Sequence, residues 1–205
     1  MSAPPSYYTL EQYAVLEEAA IYKNEYYAGC IYPMPQVSPK HCAIAANICA
    51  GIGRPLKRTA YRTYTCGLRV TVTAIAEGFS TYPDVSVARG EPQVNPADKN
   101  SILNPSVIFE VLSPSTEAYD RGEKWARYRR LDSLEEYLLV SQDKSQVEQY
   151  VRQEDGTWKF ISVEGLEAAS IVIVLGVTLS LAEVYDKITF EGNVSVLDTA
   201  GAEKA

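Results

Sequence analysis

Apolar residues recur along this chain with two periods, one near 3.6 residues and one of 2, and the switches between them predict an order of helices and strands. Thr9 followed by Gln12 reads as a capping box, and Leu10, Tyr13, Ala14 and Leu16 continue it as a short amphipathic helix ending near Ala20. Tyr22 to Tyr27 and Ile31 to Met34 are β-rich runs joined through Ala28, Gly29 and Cys30, a hairpin whose second strand is stopped by Pro33 and Pro35. Ser38-Pro39 opens a helix with proline at its first position, and the alanine-rich stretch from His41 to about Leu56 carries the longest helix.

From Tyr61 the pattern turns to strands: Tyr61 to Thr65, Leu68 to Thr73, Asp84 to Ala88 and Val107 to Leu112. The last is apolar on both faces apart from one acid, so it belongs in the middle of a covered sheet. Asp120 with Glu123 reads as a D-x-x-E cap, starting a helix that runs to Leu131. Strands resume at Tyr137 to Val140, Val147 to Val151, Trp158 to Val163 and Ile171 to Val174, followed by a short helix near Leu181 to Tyr185. This order implies a mixed β-sheet flanked by helices, in the α/β or α+β class, as one domain over 1–187 with a polar tail over 188–205.

Composition narrows the function classes. With 205 residues and 46% hydrophobic content the chain can bury a sizeable core. No run approaches the roughly 18 apolar residues of a membrane span, and the opening MSAPPSYYTL lacks the plan of a secretion signal, so the expectation is a cytoplasmic protein without membrane contact. Cys30, Cys42, Cys49 and Cys66 match no zinc spacing and read as reduced thiols, with Cys42 and Cys49 as small apolar fillers on one helix face. His41 is the only histidine, which excludes an H-E-x-x-H zinc hydrolase and, unless His41 serves, a Ser-His-Asp hydrolase. The net charge of −7 weighs against a nucleic-acid enzyme, so any phosphate affinity must come from local patches. Two basic clusters stand out: Arg54, Lys57, Arg58 and Arg62, and then Arg121, Lys124, Arg127, Arg129 and Arg130.

Two acids carry the chemical signal. Glu110 interrupts the apolar run Val107-Ile108-Phe109-Glu110-Val111-Leu112, and a buried carboxylate persists only if protonated, paired or bound to a metal. The alternative for Glu110 is a structural ion pair with an arginine on a neighbouring helix. Asp84 follows Tyr82-Pro83 at the mouth of another apolar strand, where a turn or capping role competes. Together, on adjacent central strands, the two form a hard-oxygen pair suited to Mg²⁺ or Mn²⁺.

Pro83-Asp84 followed by Glu110-x-Leu112 resembles the PD-(D/E)XK nuclease signature with leucine in place of its lysine. The segments NEYYAGCIYPM (24–34), SPKH (38–41), TYPDVSV (81–87), NPSVIFEVLSPST (104–116), YDRGEKWARYRRLDSLEEYLLVSQD (119–143) and VEQYVRQEDGTW (147–158) resemble the Uma2 family of restriction-endonuclease-like proteins over 7–187. The resemblance implies a restriction-endonuclease-like fold, a homodimer, and a lysine moved to the helix after the Glu110 strand, where Lys124 matches. It also draws in Glu25 as an N-terminal acid, although Ala28 and Cys30 stand where relatives commonly carry acids.

The mechanism expected from this reading is metal-dependent hydrolysis of DNA phosphodiester bonds. Asp84, Glu110 and the Val111 carbonyl hold the ion, and Lys124 orients or deprotonates the water or steadies charge on the phosphate. Asp120 and Tyr128 are supporting candidates, and Arg121, Arg127 and Arg130 are candidates for a nucleic-acid rim. The competing reading is a nuclease-fold binding or assembly protein without catalysis, which the acidic charge balance favours.

Overall fold

The computed structural model describes residues 7–75 and 78–190. Helix α1 (Leu10–Ala19) starts at Thr9, whose hydroxyl accepts the Gln12 N–H while the Gln12 side chain accepts the Thr9 N–H. Its buried face is Tyr13, Ala14 and Glu17, and Leu16, expected on that face, is exposed. Glu17 replaces it because its carboxylate is fully engaged by the Asn24 N–H, the Asn24 side chain and the Tyr82 hydroxyl.

Strands β1 (Asn24–Tyr27) and β2 (Cys30–Pro33) pair through a two-residue turn rather than the three-residue connection expected. Ala28 (φ 52°) and Gly29 (φ 80°) both lie in the left-handed region, as a type I′ turn requires. Helix α2 (Pro39–Gly53) is capped by Ser38, whose Oγ accepts the His41 N–H.

The remaining strands sort into two mixed six-stranded sheets and a hairpin, where the hydrophobic pattern suggested one central sheet. The first sheet joins β1 and β2 to β4 (Arg69–Val72), β5 (Phe79–Thr81), β7 (Val94–Asn95) and β8 (Asp98–Ile102). The second runs β12-β11-β10-β9-β6-β3, with β3 (Tyr61–Thr65), β6 (Val85–Arg89), β9 (Pro105–Leu112), β10 (Glu136–Ser141), β11 (Gln146–Arg152) and β12 (Trp158–Glu164). Strands β13 (Ala169–Val172) and β14 (Val177–Ser180) form the hairpin. Periodicity missed β5, β7, β8 and β14: β7 has two residues, β5 three, and the charged and polar sequence of β8 has no apolar stripe to read.

Strand β9 is buried along its whole length because it has cover on both faces. Val107, Phe109 and Val111 pack with α2, the β13–β14 hairpin and the last helix, α5 (Leu181–Val184). Ile108 and Leu112 pack on the other side with Val70, Val72, Phe79 and Tyr128, between the two sheets. Glu110 has the parity of Ile108 and Leu112, so it faces this inter-sheet core.

The helix after β9 begins before Asp120. It comprises α3 (Glu117–Tyr119), a π-helical turn (Asp120–Lys124) and α4 (Trp125–Tyr128), with Asp120 already helical. Asp120 is therefore not the cap that the D-x-x-E spacing suggested, and its carboxylate instead pairs with Lys124 within the helix. Cys42 is exposed rather than a filler, whereas Cys49 does pack on the core, and all four cysteines are free thiols. Among the described residues no helix is long and apolar enough to cross a membrane. The expected tail from 188 lies outside the described residues after Phe190, which itself packs its ring on Tyr185.

Candidate functional site

Strands β6 and β9 are antiparallel neighbours with Val85 opposite Phe109, and extending that register by one residue sets Asp84 opposite Glu110. Asp84 is held at both oxygens: Oδ2 accepts the Val111 N–H at 2.7 Å and Oδ1 accepts from His41 Nε2 at 2.7 Å. Because a carboxylate only accepts, the histidine carries its proton on Nε2, and its buried Nδ1 has no hydrogen-bond partner. Tyr82, two residues earlier, is fixed by the buried chain from Glu17 through its hydroxyl to Arg69, which pairs with Asp98. The edge of β6 that presents Asp84 is thereby anchored to α1 and to the first sheet.

Glu110 is 3% exposed and meets Lys124, 4% exposed, with Nζ 2.9 Å from its Oε1. Tyr128, one turn further along the helix, donates its hydroxyl to the same oxygen at 3.1 Å. Lys124 also lies 3.2 Å from Asp120 and 3.9 Å from Glu25. The π turn is what carries Asp120 and Lys124 inward together; such turns recur at functional sites because the extra residue re-aims side chains. Leu112, where the nuclease signature has lysine, is buried in the inter-sheet core.

Three carboxylates thus surround one ammonium, with Asp84 close enough to bear on Glu110. Burial pushes the Glu110 carboxyl up; Lys124 pulls it down, Asp120 and Asp84 push it up further, and the net direction is well above the ordinary range. For Lys124, burial works against the ammonium, but Glu110, Asp120, Tyr128 and Glu25 outweigh it and raise the group well above an ordinary lysine. Both directions express one imbalance: the cluster has more acids than cations and holds protons that separate side chains would release.

Glu25 extends the cluster. Its Oε1 accepts from Thr81 at 2.7 Å, and its Oε2 accepts from the Tyr119 hydroxyl at 2.7 Å. Burial and the Glu25 charge raise the Tyr119 phenol far above its usual range, so it remains a donor. Arg127 donates to Tyr119 at 2.8 Å and to Glu123 at 2.7 Å, and its guanidinium lies 3.6 Å from the Tyr27 ring centroid.

Asp84, Glu110, Lys124, Glu25, Asp120 and Val111 line one cavity of about 790 Å³. Tyr128 is not among the lining residues and reaches the site only through its hydroxyl on Glu110. The rim expected from the basic cluster is different: Arg127 is 9% exposed and buried against aromatic rings, because stacking and two hydrogen bonds hold it inward. Arg121 pairs with Glu117 and Glu148, leaving Arg130 of the three as an exposed cation. Sequence reasoning did not assign His41, Tyr119 and Thr81 to the site. The first stands in the SPKH segment, and its being the sole histidine was the available signal.

Among the described residues, no three His, Cys, Asp or Glu side chains form a group that could hold a metal ion by themselves. The site sets Glu110, on β9, opposite Asp84, the residue before β6, with Lys124 beside Glu110.

The Uma2 family model, described as "Putative restriction endonuclease", matches residues 10–182. The uncharacterized protein sll1609 of Synechocystis is 31% identical over 160 residues, 78% of this chain and 89% of that protein. The uncharacterized protein slr1290 of the same organism is 30% identical over 192 residues, 92% of this chain and 97% of its own. A crystal structure described as a putative nuclease belonging to DUF820, from Anabaena variabilis, superposes with a TM-score of 0.67 at 20% identity and covers 86% of this chain and 97% of its own. That likeness shows the fold, and the match over 10–182 shows that the chain belongs to the Uma2 family.

Proposed function

We propose that this chain is a metal-dependent endonuclease that hydrolyses DNA phosphodiester bonds, acting as a homodimer. The observation that carries the reading is the buried group of Glu110, Asp120 and Glu25 around Lys124, with Asp84 facing Glu110 across β6 and β9. A fold gains nothing from gathering uncompensated carboxylates in its interior, so the surplus charge fits a site that a cation completes. The donors are hard oxygens, which fit Mg²⁺ or Mn²⁺, and Mg²⁺ commonly takes only one or two protein carboxylates and keeps several waters. That habit reconciles the proposed site with the lack of a three-ligand cluster among the described residues.

Asp84, Glu110 and the Val111 carbonyl would hold the ion. When bound, it supplies polarisation of a water and of the scissile phosphate. His41 and the Val111 N–H fix the plane of the Asp84 carboxylate. Lys124, kept as the ammonium by its carboxylate neighbours, sets positive charge beside Glu110, which suits it to steadying a phosphate or orienting a water better than to removing a proton. Tyr128 limits the orientations open to Glu110.

The test is cleavage of circular DNA with Mg²⁺ or Mn²⁺ by the parent chain and by Asp84→Asn, each checked for folding. Cutting that requires the ion and disappears in the variant is expected. Absence of cutting by the parent on both duplex and single-stranded circles would favour the second reading, a binding or assembly protein, which the net charge of −7 supports.

A further inference from the structure

The cavity that contains the carboxylates does not end at them. A second cavity of about 790 Å³ meets it along the segment 34–37 and at His41, Tyr82 and Asp84. Asp84 therefore stands where two hollows join, and the groove continues on both sides of it. Apolar surface dominates both, and each has a large aromatic side chain held in solvent. Tyr32 lines the first and is 50% exposed; Tyr22, 69% exposed, lines the second beside Ile21, 91% exposed.

The cations of the groove are already engaged. Lys124 and Arg127 line the first cavity, one enclosed by carboxylates and the other bonded to Tyr119 and Glu123. Lys23, in the second, donates to the Cys66 carbonyl at 2.6 Å and lies over the Tyr82 ring. A duplex presents paired bases stacked out of reach and a dense double row of phosphates that calls for free lysines and arginines. An unpaired strand presents the faces of its bases, which stack on aromatic rings whatever their sequence. Glu110, 3% exposed in the lining of the first cavity, is also more accessible to one strand than to the broad cylinder of a double helix.

Resting on the nuclease reading above, we propose that this groove takes single-stranded DNA, which crosses Asp84 with unpaired bases against Tyr32 on one side and Tyr22 on the other. Affinity then comes mainly from stacking, and its salt dependence is shallow.

Fluorescence anisotropy of the full chain with Ca²⁺ present tests this on three labelled probes of equal length: oligothymidine, a DNA duplex, and an oligomer of abasic sites. Oligothymidine should bind at least about tenfold more tightly than either of the others, and Tyr22→Ala and Tyr32→Ala should each weaken it by roughly tenfold, with Tyr→Phe restoring it. Both tyrosines are solvent-exposed, and unchanged thermal melting establishes that the variants fold. Equal or tighter binding of the duplex, or tyrosine variants that bind as the parent does, would overturn the proposal. If in that event Asp84→Asn still abolishes metal-dependent cutting of duplex DNA, the nuclease reading survives alone. If no probe binds and no DNA is cut, both fail.

Discussion

Lys124 has almost no solvent contact and three carboxylates around it, so its removal acts on stability and chemistry together. Lys124→Ala leaves buried acids uncompensated, and urea denaturation should register a loss of about 3–5 kcal/mol, the usual cost of breaking a buried pair. Cleavage should disappear. Because unfolding alone can abolish activity, Leu112→Lys combined with Lys124→Ala is the informative variant: residue 112 shares the face of Glu110, so an ammonium there returns the charge from the strand. Partial recovery of both stability and cutting is expected, and Lys124→Ala cutting as well as the parent would contradict the assigned role. Of this cluster, Glu110 was legible in the chain itself, because an acid interrupting an apolar strand needs a proton, an ion partner or a metal, whereas Lys124 and Glu25 were reached only through the resemblance to the Uma2 family. His41 drew notice only as the sole histidine; its part in the site lies in a 2.7 Å contact with a residue 43 positions away, which no local pattern encodes.

At the scale of elements, β10 carries a second buried acid that has nothing to do with the cavity. Glu136 accepts the Ile173 and Val174 N–H groups at the turn of the β13–β14 hairpin and the Gln149 amide on β11. Burial, partly offset by these bonds, pushes its carboxyl up to about 7. The folded chain therefore keeps this proton while the unfolded chain releases it near the ordinary glutamate value of 4.5. Between those limits the folded state binds more protons, so this group makes stability fall as pH rises from 4.5 through 7. The full effect is on the order of 3 kcal/mol. Glu136→Gln should flatten that slope and raise stability at pH 8, as read from denaturation midpoints; an unchanged slope would show that Glu136 is not its source. In the β1–β2 turn, Ala28 adopts φ 52°, a conformation that suits glycine, and Ala28→Gly should stabilise by about 0.5–1 kcal/mol by relieving it. A lower melting temperature would contradict that. The element order was largely legible where apolar stretches are long: α2 is an extended alanine-rich run behind a Ser-Pro start, and β9 is a continuous apolar run buried on both faces. The D-x-x-E spacing misled because a π turn can place Asp120 and Lys124 on the inner face without any cap being present.

For the whole molecule, the second sheet supplies both carboxylates, the helix after β9 supplies the lysine, and the first sheet closes the cluster through Thr81 and Glu25. A division into two sheets could not be read from hydrophobic period alone, since a strand's pattern states which faces are buried and not which neighbour buries them. With a net charge of −7 and Arg127 turned inward, the proposed DNA binding should lose little affinity between 50 and 200 mM salt, and Arg127→Gln should disturb folding more than it changes the salt slope. A steep slope that Arg127→Gln reduces would contradict this. The central claim is that Asp84 and Glu110 hold a divalent ion, and it is tested most directly by titration calorimetry of Mn²⁺ into the parent chain, Asp84→Asn and Glu110→Gln, each shown to be folded. The account predicts one saturable site in the parent and its loss in both variants; Mn²⁺ binding that survives both substitutions, or is absent from the parent, would contradict it.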